Sequence, residues 1–154
     1  MKRALPATAV LAIALAGCAG TPSVAPPVAS PAVPPPGTLH PGAVRYHATD
    51  LRPGDCIDPM PTDFSVTVVP CDQPHAAEFA TTYIAPRGPY PGAVTLDRLV
   101  REECTPLMRY VPSRKDEVTV YGLIPLESDW PRFRALYCLA VPVDGGRLVG
   151  RVIK

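Results

Sequence analysis

Four cysteines in residues 45–154 constrain most strongly what this 154-residue chain can fold into. They are Cys56, Cys71, Cys104 and Cys138. A domain of this size buries one small core, so cross-links or a metal ion can supply much of its net stability. Disulfides persist in oxidising compartments and are rare in the cytosol, so the compartment decides whether the cysteines form disulfides or bind a metal ion.

The first residues predict export from the cytoplasm. Lys2 and Arg3 precede an apolar run from Leu5 to Leu15, which is too short to span a bilayer as a permanent helix. The run ends in "LAGC", the pattern at which bacterial lipoproteins are cleaved and acylated. We therefore predict a lipoprotein signal peptide over residues 1–17 and a palmitate-type lipid anchor on Cys18. An ordinary secretory signal cut at "ALA", which would leave Cys18 as a free thiol, is the alternative.

Residues 18–44 form the lipidated N-terminus and a linker. The 26 residues from Ala19 to Val44 contain eight prolines and no aromatic side chain. Proline favours extended backbone, so we expect a semi-stiff tether that reaches up to about 80 Å at about 3.1 Å per residue. A PxxP ligand for an aromatic groove is the alternative.

The remaining residues, 45–154, have the length of one domain. Lys2 and Arg3 account for two of the 15 basic residues, which leaves 13 against 14 acidic ones. A near-neutral domain without a basic block argues against a nucleic-acid partner. No second apolar segment approaches 18 residues, so we expect an extracytoplasmic protein, lipid-anchored to the outer face of the cell membrane.

An even number of cysteines in an exported domain predicts two disulfides. Three pairings are possible, and we favour Cys56–Cys71 with Cys104–Cys138 because each closes a local unit. On the chain-entropy model these loops contribute about 3 and about 4 kcal/mol. The spacings lack the CxxC pair that is typical of zinc knuckles and of redox enzymes, so we expect no metal and no cofactor.

The residue pattern predicts an α+β domain with a small antiparallel sheet of about five strands and one main helix. Apolar residues at intervals of three and four from Leu96 to Val111 indicate the helix, and Pro106 should end or kink it near Thr105. "VDGGR", Val143 to Arg147, predicts a tight hairpin between the last two strands. The expected strands are Val66–Val69, Glu78–Ile84, Val118–Ile124, Ala135–Val143 and Leu148–Ile153.

The chain contains the motifs "RPGDCI", "VVPCDQPHAAEF" and "YPG", a helix with Cys104, and Trp130 before the strand that contains Cys138. Together these features resemble the septum formation family of actinobacterial envelope proteins. The resemblance covers residues 45–154. It implies a link to division septa and supplies no reaction and no catalytic residue.

Asp72, His75 and Glu78 follow Cys71 at intervals of three and form the candidate polar cluster. A metal or acid-base site would need them to converge, but Pro74 disfavours a helix and a strand would splay them. We favour a structural interpretation in which Asp72 accepts backbone hydrogen bonds in a turn, His75 packs against that turn and Glu78 begins a strand. The pair His47 and Asp50 is a weaker candidate.

No nucleophile lies beside His75 in a recognisable pattern, so we expect a non-enzymatic protein-interaction module. Its expected partners are the cytoplasmic membrane, through the lipid anchor, and an envelope or division protein. A metal- or small-ligand-binding sensor centred on His75 and a hydrolase acting on the cell wall are the alternatives. Trp130 is expected to be a partly buried core residue.

Overall fold

Residues 41–154 are described by a computed structural model, and within them six antiparallel strands form one sheet in the order β1-β3-β2-β4-β6-β5. With one main helix and two disulfides, the predicted α+β class is confirmed. The predicted signal peptide, Cys18 and most of the linker lie outside the described residues. The strands are β1 Val44–His47, β2 Cys56–Ile57, β3 Ser65–Val69, β4 Ala77–Ile84, β5 Val118–Leu123 and β6 Ala135–Pro142.

The main helix begins with α1, Ala93–Leu99, and continues through a π-helical turn, Val100–Cys104, into a 3₁₀ turn, Thr105–Leu107. It ends where Pro106 predicts, because proline cannot continue the hydrogen-bond ladder. Leu107, expected on the apolar face, is exposed. No helix in residues 41–154 has the length and apolar character needed to cross a membrane. The buried face consists of Leu96, Val100, Cys104 and Met108.

The sheet buries side chains on both faces. Along β6, Cys138 points to the helix and is bonded to Cys104, with 5.7 Å between the Cα atoms. Tyr137 and Leu139 point to the opposite layer, which the segment between β1 and β3 covers with Phe64. The rings of Phe64 and Tyr137 lie 5.7 Å apart. This alternation explains why β6 is buried along most of its length.

Trp130 is partly buried against the helix-side core, as expected. Its Nε1 donates a hydrogen bond of 2.7 Å to the carbonyl of Gly88. Its ring meets that of Tyr90 edge-on at 6.0 Å. These contacts make it a packing residue that ties the segment after β4 to the segment before β6.

The predicted strand Leu148–Ile153 and its hairpin are wrong, although the turn after β6 exists. The turn is closed by the N–H of Gly145 and the carbonyl of Pro142 at 3.3 Å. Beyond it, Gly150 has a φ of +74°, which interrupts extended backbone. The segment makes only isolated bridges, from Leu148 to His75 and from Ile153 to Tyr110. We call residues 148–154 the cover segment, because they lie over the candidate site.

A buried histidine, glutamate and disulfide form the candidate functional site

His75 lies at the point where the cover segment crosses the chain between β3 and β4. Its backbone exchanges two hydrogen bonds of 2.9 Å with Leu148, and its side chain is 0% exposed. The ring Nδ1 lies 2.9 Å from the carbonyl of Gln73. A carbonyl only accepts, so Nδ1 carries the proton and Nε2 presents a lone pair. Nε2 has no hydrogen-bond partner among the described residues.

Burial lowers the pKa of His75, and the positive charge of Arg114 acts in the same direction, while the bond to the Gln73 carbonyl opposes both. Burial has the largest effect, because it removes the water that would solvate an imidazolium. The ring is therefore neutral near pH 7.

Glu78 is the second residue of β4 and lies directly opposite Cys56 of β2. Opposed residues of an antiparallel pair project to the same face, so the carboxyl group lies beside the Cys56 sulfur. The side chain is 0% exposed. Oε2 accepts a hydrogen bond of 2.5 Å from the N–H of Val152, whereas Oε1 has no partner among the described residues.

Burial raises the pKa of the Glu78 carboxyl group. The N–H groups of Val152 and Ile153 and the charges of Arg151 and Arg114 oppose this shift, because each stabilises the carboxylate. Glu78 is thus a buried acid whose proton is held more tightly than in water.

The predicted pairing of Cys56 with Cys71 is confirmed. Cys56 pairs across the sheet with Val69, two residues before Cys71, so the fold brings the two Cα atoms to 5.3 Å. The Cys56 sulfur, a ring nitrogen of His75 and a carboxylate oxygen of Glu78 lie within 4.8 Å of one another. We call His75, Glu78, Cys56 and Cys71 the buried cluster.

The cover segment closes the buried cluster through backbone hydrogen bonds. Gly150 donates to the carbonyl of Cys71 at 2.6 Å, and the carbonyl of Val152 accepts from Val111 at 2.8 Å. Arg114 adds a side-chain clamp, since its Nη1 donates to the carbonyls of Val149 at 2.9 Å and Arg151 at 3.1 Å. These bonds fix the cover without a continuous strand.

Glu117 orients the Arg114 clamp. Its carboxylate accepts from Nε and Nη2 of Arg114, the latter at 2.6 Å. This hydrogen-bonded ion pair lowers the pKa of Glu117. Because Glu117 is exposed, the pair serves mainly to hold the geometry of the clamp.

The expectation that residues 72, 75 and 78 do not converge is wrong for His75 and Glu78, whose side chains meet beside Cys56. It holds for Asp72, which does not join the buried cluster. Asp72 is exposed, and the turn at this point is closed by the N–H of Gln73 and the carbonyl of Pro70 at 3.0 Å. The prediction that Asp72 organises this turn through its carboxylate is therefore wrong, whereas the contact of His75 with the turn and the place of Glu78 at the start of a strand are confirmed. His47 is exposed and pairs with Thr49 rather than with Asp50.

Three neighbours of Glu78 were not indicated by any pattern in the sequence: Arg114, Arg151 and Val152. Arg151 lies close to Gly54, where a Cβ would come within 2.4 Å of its Nη1. The end of the flexible Arg151 side chain could move aside for a Cβ, whereas the φ of +91° at Gly54 is the backbone conformation that favours glycine.

A groove of about 580 Å³ lies on the surface near the cover segment. Met108, Tyr110 and Pro112 form its apolar floor, and Arg109, Lys115 and Lys154 form its basic rim. We call these six residues the basic-rimmed groove. No ion pair in residues 41–154 involves the three rim side chains.

Comparison with known proteins returned no match to a family model, to a curated protein or to a solved structure.

Proposed function

We propose that this chain is a non-enzymatic lipoprotein of the cell envelope whose domain binds another envelope protein. In this proposal Cys18 carries the lipid anchor, residues 18–44 hold the domain away from the membrane, and the partner binds in the basic-rimmed groove. The groove is the observation on which the proposal rests.

The groove suits an acidic partner segment with an apolar anchor. Tyr110 and Met108 offer a contact for one apolar side chain, and the basic side chains Arg109, Lys115 and Lys154 line the same groove. Each exposed ion pair contributes about 0.2–1 kcal/mol and is screened by salt. Binding should therefore weaken as ionic strength rises, while the apolar contact supplies a salt-independent part.

A role in septum formation is the more specific form of this proposal. Its support is the set of motifs around Cys56, Cys71 and His75 that resembles the septum formation family. A partner from the division apparatus would agree with both the resemblance and the proposed location at the outer face of the membrane.

The alternative sensor centred on His75 has less support in the oxidised protein. His75 and Glu78 are covered, and Cys56 is bonded to Cys71 and has no thiolate to offer a metal. A wall hydrolase would require a reactive group that reaches solvent, and neither His75 nor Glu78 does so.

Charge reversal in the groove tests the proposal. The full chain would be crosslinked in intact cells, and the partner peptides mapped by mass spectrometry, for wild type and for Arg109→Glu/Lys115→Glu. We expect crosslinks to an acidic segment that the double variant loses. Arg87→Glu/Arg132→Glu makes the same change in net charge on exposed residues outside the groove and should keep them. Equal crosslinking by both double variants would contradict the proposal.

A further inference from the structure

We propose that reduction of the Cys56–Cys71 disulfide by a dithiol converts the buried cluster into a zinc site. The four ligands would be Sγ of Cys56, Sγ of Cys71, Nε2 of His75 and Oε1 of Glu78. This inference does not depend on the proposed docking function.

Three of the four donors already lie close together, and the fourth, Sγ of Cys71, is bonded to one of them. Sγ of Cys56, a His75 ring nitrogen and a Glu78 carboxylate oxygen lie within 4.8 Å of one another, and Sγ of Cys71 is bonded to Cys56 at 2.02 Å. In tetrahedral zinc sites with bonds of about 2.0–2.3 Å, donor atoms lie about 3.3–3.8 Å apart. To reach that spacing the nitrogen and oxygen would approach the Cys56 sulfur by about 1 Å, and the Cys71 sulfur would move away from Cys56 and toward both of them.

Two of the donors have no other use in the oxidised protein. Nε2 of His75 and Oε1 of Glu78 are buried and lack hydrogen-bond partners among residues 41–154. A buried polar atom without a partner is costly, so native proteins seldom retain one without a reason. A zinc ion would satisfy both atoms at once.

The second atom of each side chain is already fixed as a zinc site requires. Nδ1 of His75 donates to the Gln73 carbonyl, which directs the Nε2 lone pair away from the backbone. Oε2 of Glu78 accepts from Val152, which leaves Oε1 free. Such outer hydrogen bonds set the tautomer and orientation of metal ligands.

The electron and proton balance is simple. The dithiol gives two electrons and two protons, the Cys56–Cys71 bond breaks to two thiols, and the dithiol becomes a disulfide. Zn²⁺ then displaces the two thiol protons and any proton held by the Glu78 carboxyl group, because only thiolates and the carboxylate coordinate the metal. With a carboxylate from Glu78 the site has a net charge of −1, and the guanidinium groups of Arg114 and Arg151, which act on Glu78, offset it.

The second disulfide serves as a control for zinc binding within the same chain. Cys104 and Cys138 lie in the helix-side core among Leu96, Val100 and Leu136. The group built on Cys56 is the one set of three potential ligands found in residues 41–154. Reduction of Cys104–Cys138 alone should therefore create no zinc site.

The test is zinc and cobalt binding by the full chain, oxidised and reduced with a dithiol that is removed before measurement. Zinc affinity would be measured by competition with a chromophoric chelator, and geometry from the Co²⁺ absorption spectrum. We expect one zinc per reduced chain, a tetrahedral cobalt spectrum with thiolate charge transfer, and binding at least about 100-fold weaker in the oxidised chain.

Variants distinguish zinc binding by the buried cluster from zinc binding by thiols elsewhere in the chain. His75→Gln and Glu78→Gln should each weaken zinc binding at least about tenfold. His47→Gln, at an exposed histidine, and Cys104→Ser/Cys138→Ser, which removes the second pair of thiols, should bind as wild type does. Unchanged affinity in His75→Gln, or equal affinity in the oxidised chain, would overturn the proposal.

Circular dichroism shows whether the reduced chain is folded. We expect zinc to restore native ellipticity to reduced wild type where reduction has lowered it, because a structural zinc site couples binding to folding. A reduced wild-type chain that stays unfolded with zinc would also overturn the proposal.

Discussion

At the scale of single residues, Glu78 shows how burial changes an ordinary side chain. Its carboxyl group is 0% exposed and faces His75, while the guanidinium groups of Arg151 and Arg114 act on it from the cover segment and the clamp. One oxygen is bonded to Val152 and the other has no partner in the described part of the chain. The group holds the cover in place, yet ionising it costs stability.

Glu78→Gln should separate these two effects in the oxidised protein. Burial raises the pKa of Glu78 above its usual 4.5, so between 4.5 and the folded-state pKa the folded chain holds a proton that the unfolded chain has lost. Stability conferred by Glu78 therefore falls as pH rises through that window. Glutamine cannot ionise and can still accept from Val152.

We expect the melting temperature of Glu78→Gln, relative to wild type, to increase from about pH 4 to about pH 8. Thermal unfolding followed by circular dichroism measures this difference. Because His75 lies within 4.8 Å of Glu78, the same comparison is made in a His75→Gln background, which removes the titration of His75. A difference that does not change with pH would show that Glu78 ionises in the fold as it does in water.

At the scale of secondary-structure elements, the contact between β5 and the main helix depends on a glycine. A Cβ at Gly122 would lie 2.2 Å from Cγ2 and 2.8 Å from Cγ1 of Val100. Valine has little rotamer freedom in a helix, so it cannot turn aside. The close approach of β5 to the helix therefore requires the absence of a side chain at residue 122.

Gly122→Ala should destabilise the domain by about 1–3 kcal/mol, the usual cost of overpacking. Chemical denaturation gives the free energy of unfolding. The double variant Val100→Ala/Gly122→Ala should lose less free energy of unfolding than the two single variants lose together, because the smaller residue at 100 removes the clash. Additive effects would mean that a Cβ at residue 122 does not clash with Val100.

The elements whose positions depend on short stretches of sequence could be predicted from the sequence. β3, β4, β5, β6 and the end of the main helix near Thr105 lie within a residue or two of their predicted positions. Strand alternation, apolar spacing and Pro106 are all written into short windows of sequence.

Elements that depend on distant partners could not be predicted in this way. β2 has two residues and exists because it pairs with both β3 and β4. The cover segment reads as a strand, but its hydrogen bonds go to Cys71, Glu78 and Arg114, which lie far from it in sequence.

The candidate site shows the same division. His75, Glu78 and the Cys56–Cys71 disulfide could be selected from residue type and spacing, whereas the position of Asp72 could not. Local geometry predicted that Asp72, His75 and Glu78 would splay apart, but the fold brings His75 and Glu78 together beside Cys56. Asp72 lies in the turn Pro70–Gln73, whereas Glu78 lies near the start of β4. Cys56 pairs with Glu78 across the sheet, so Cys56 rather than Asp72 is the third member of the cluster.

At the scale of the whole molecule, two disulfides hold the domain that we propose is attached to the membrane by a lipid anchor and a linker. Cys56–Cys71 ties β2 to the segment after β3, and Cys104–Cys138 ties the main helix to β6. Cross-links of this kind suit a small domain outside the cytoplasm. The lipid anchor would confine its binding to the neighbourhood of the membrane.

Cys18→Ala should release the protein from the membrane. Acyl chains contribute about 0.8 kcal/mol per buried methylene group, so their loss removes the proposed attachment. Cell fractionation with immunoblotting measures the distribution, and Cys104→Ser/Cys138→Ser, which leaves residue 18 intact, should remain with the membrane. Retention of Cys18→Ala in the membrane fraction would contradict the lipid anchor.

The central claim, that the basic-rimmed groove binds an envelope protein, is tested most directly by a photoreactive amino acid placed at Lys115. The same probe at Arg132, also exposed but outside the groove, is the matched control. We expect irradiation of living cells to join residue 115 to an acidic segment of one partner, with no such product from residue 132. The same products from both positions, or products from residue 132 alone, would contradict the claim.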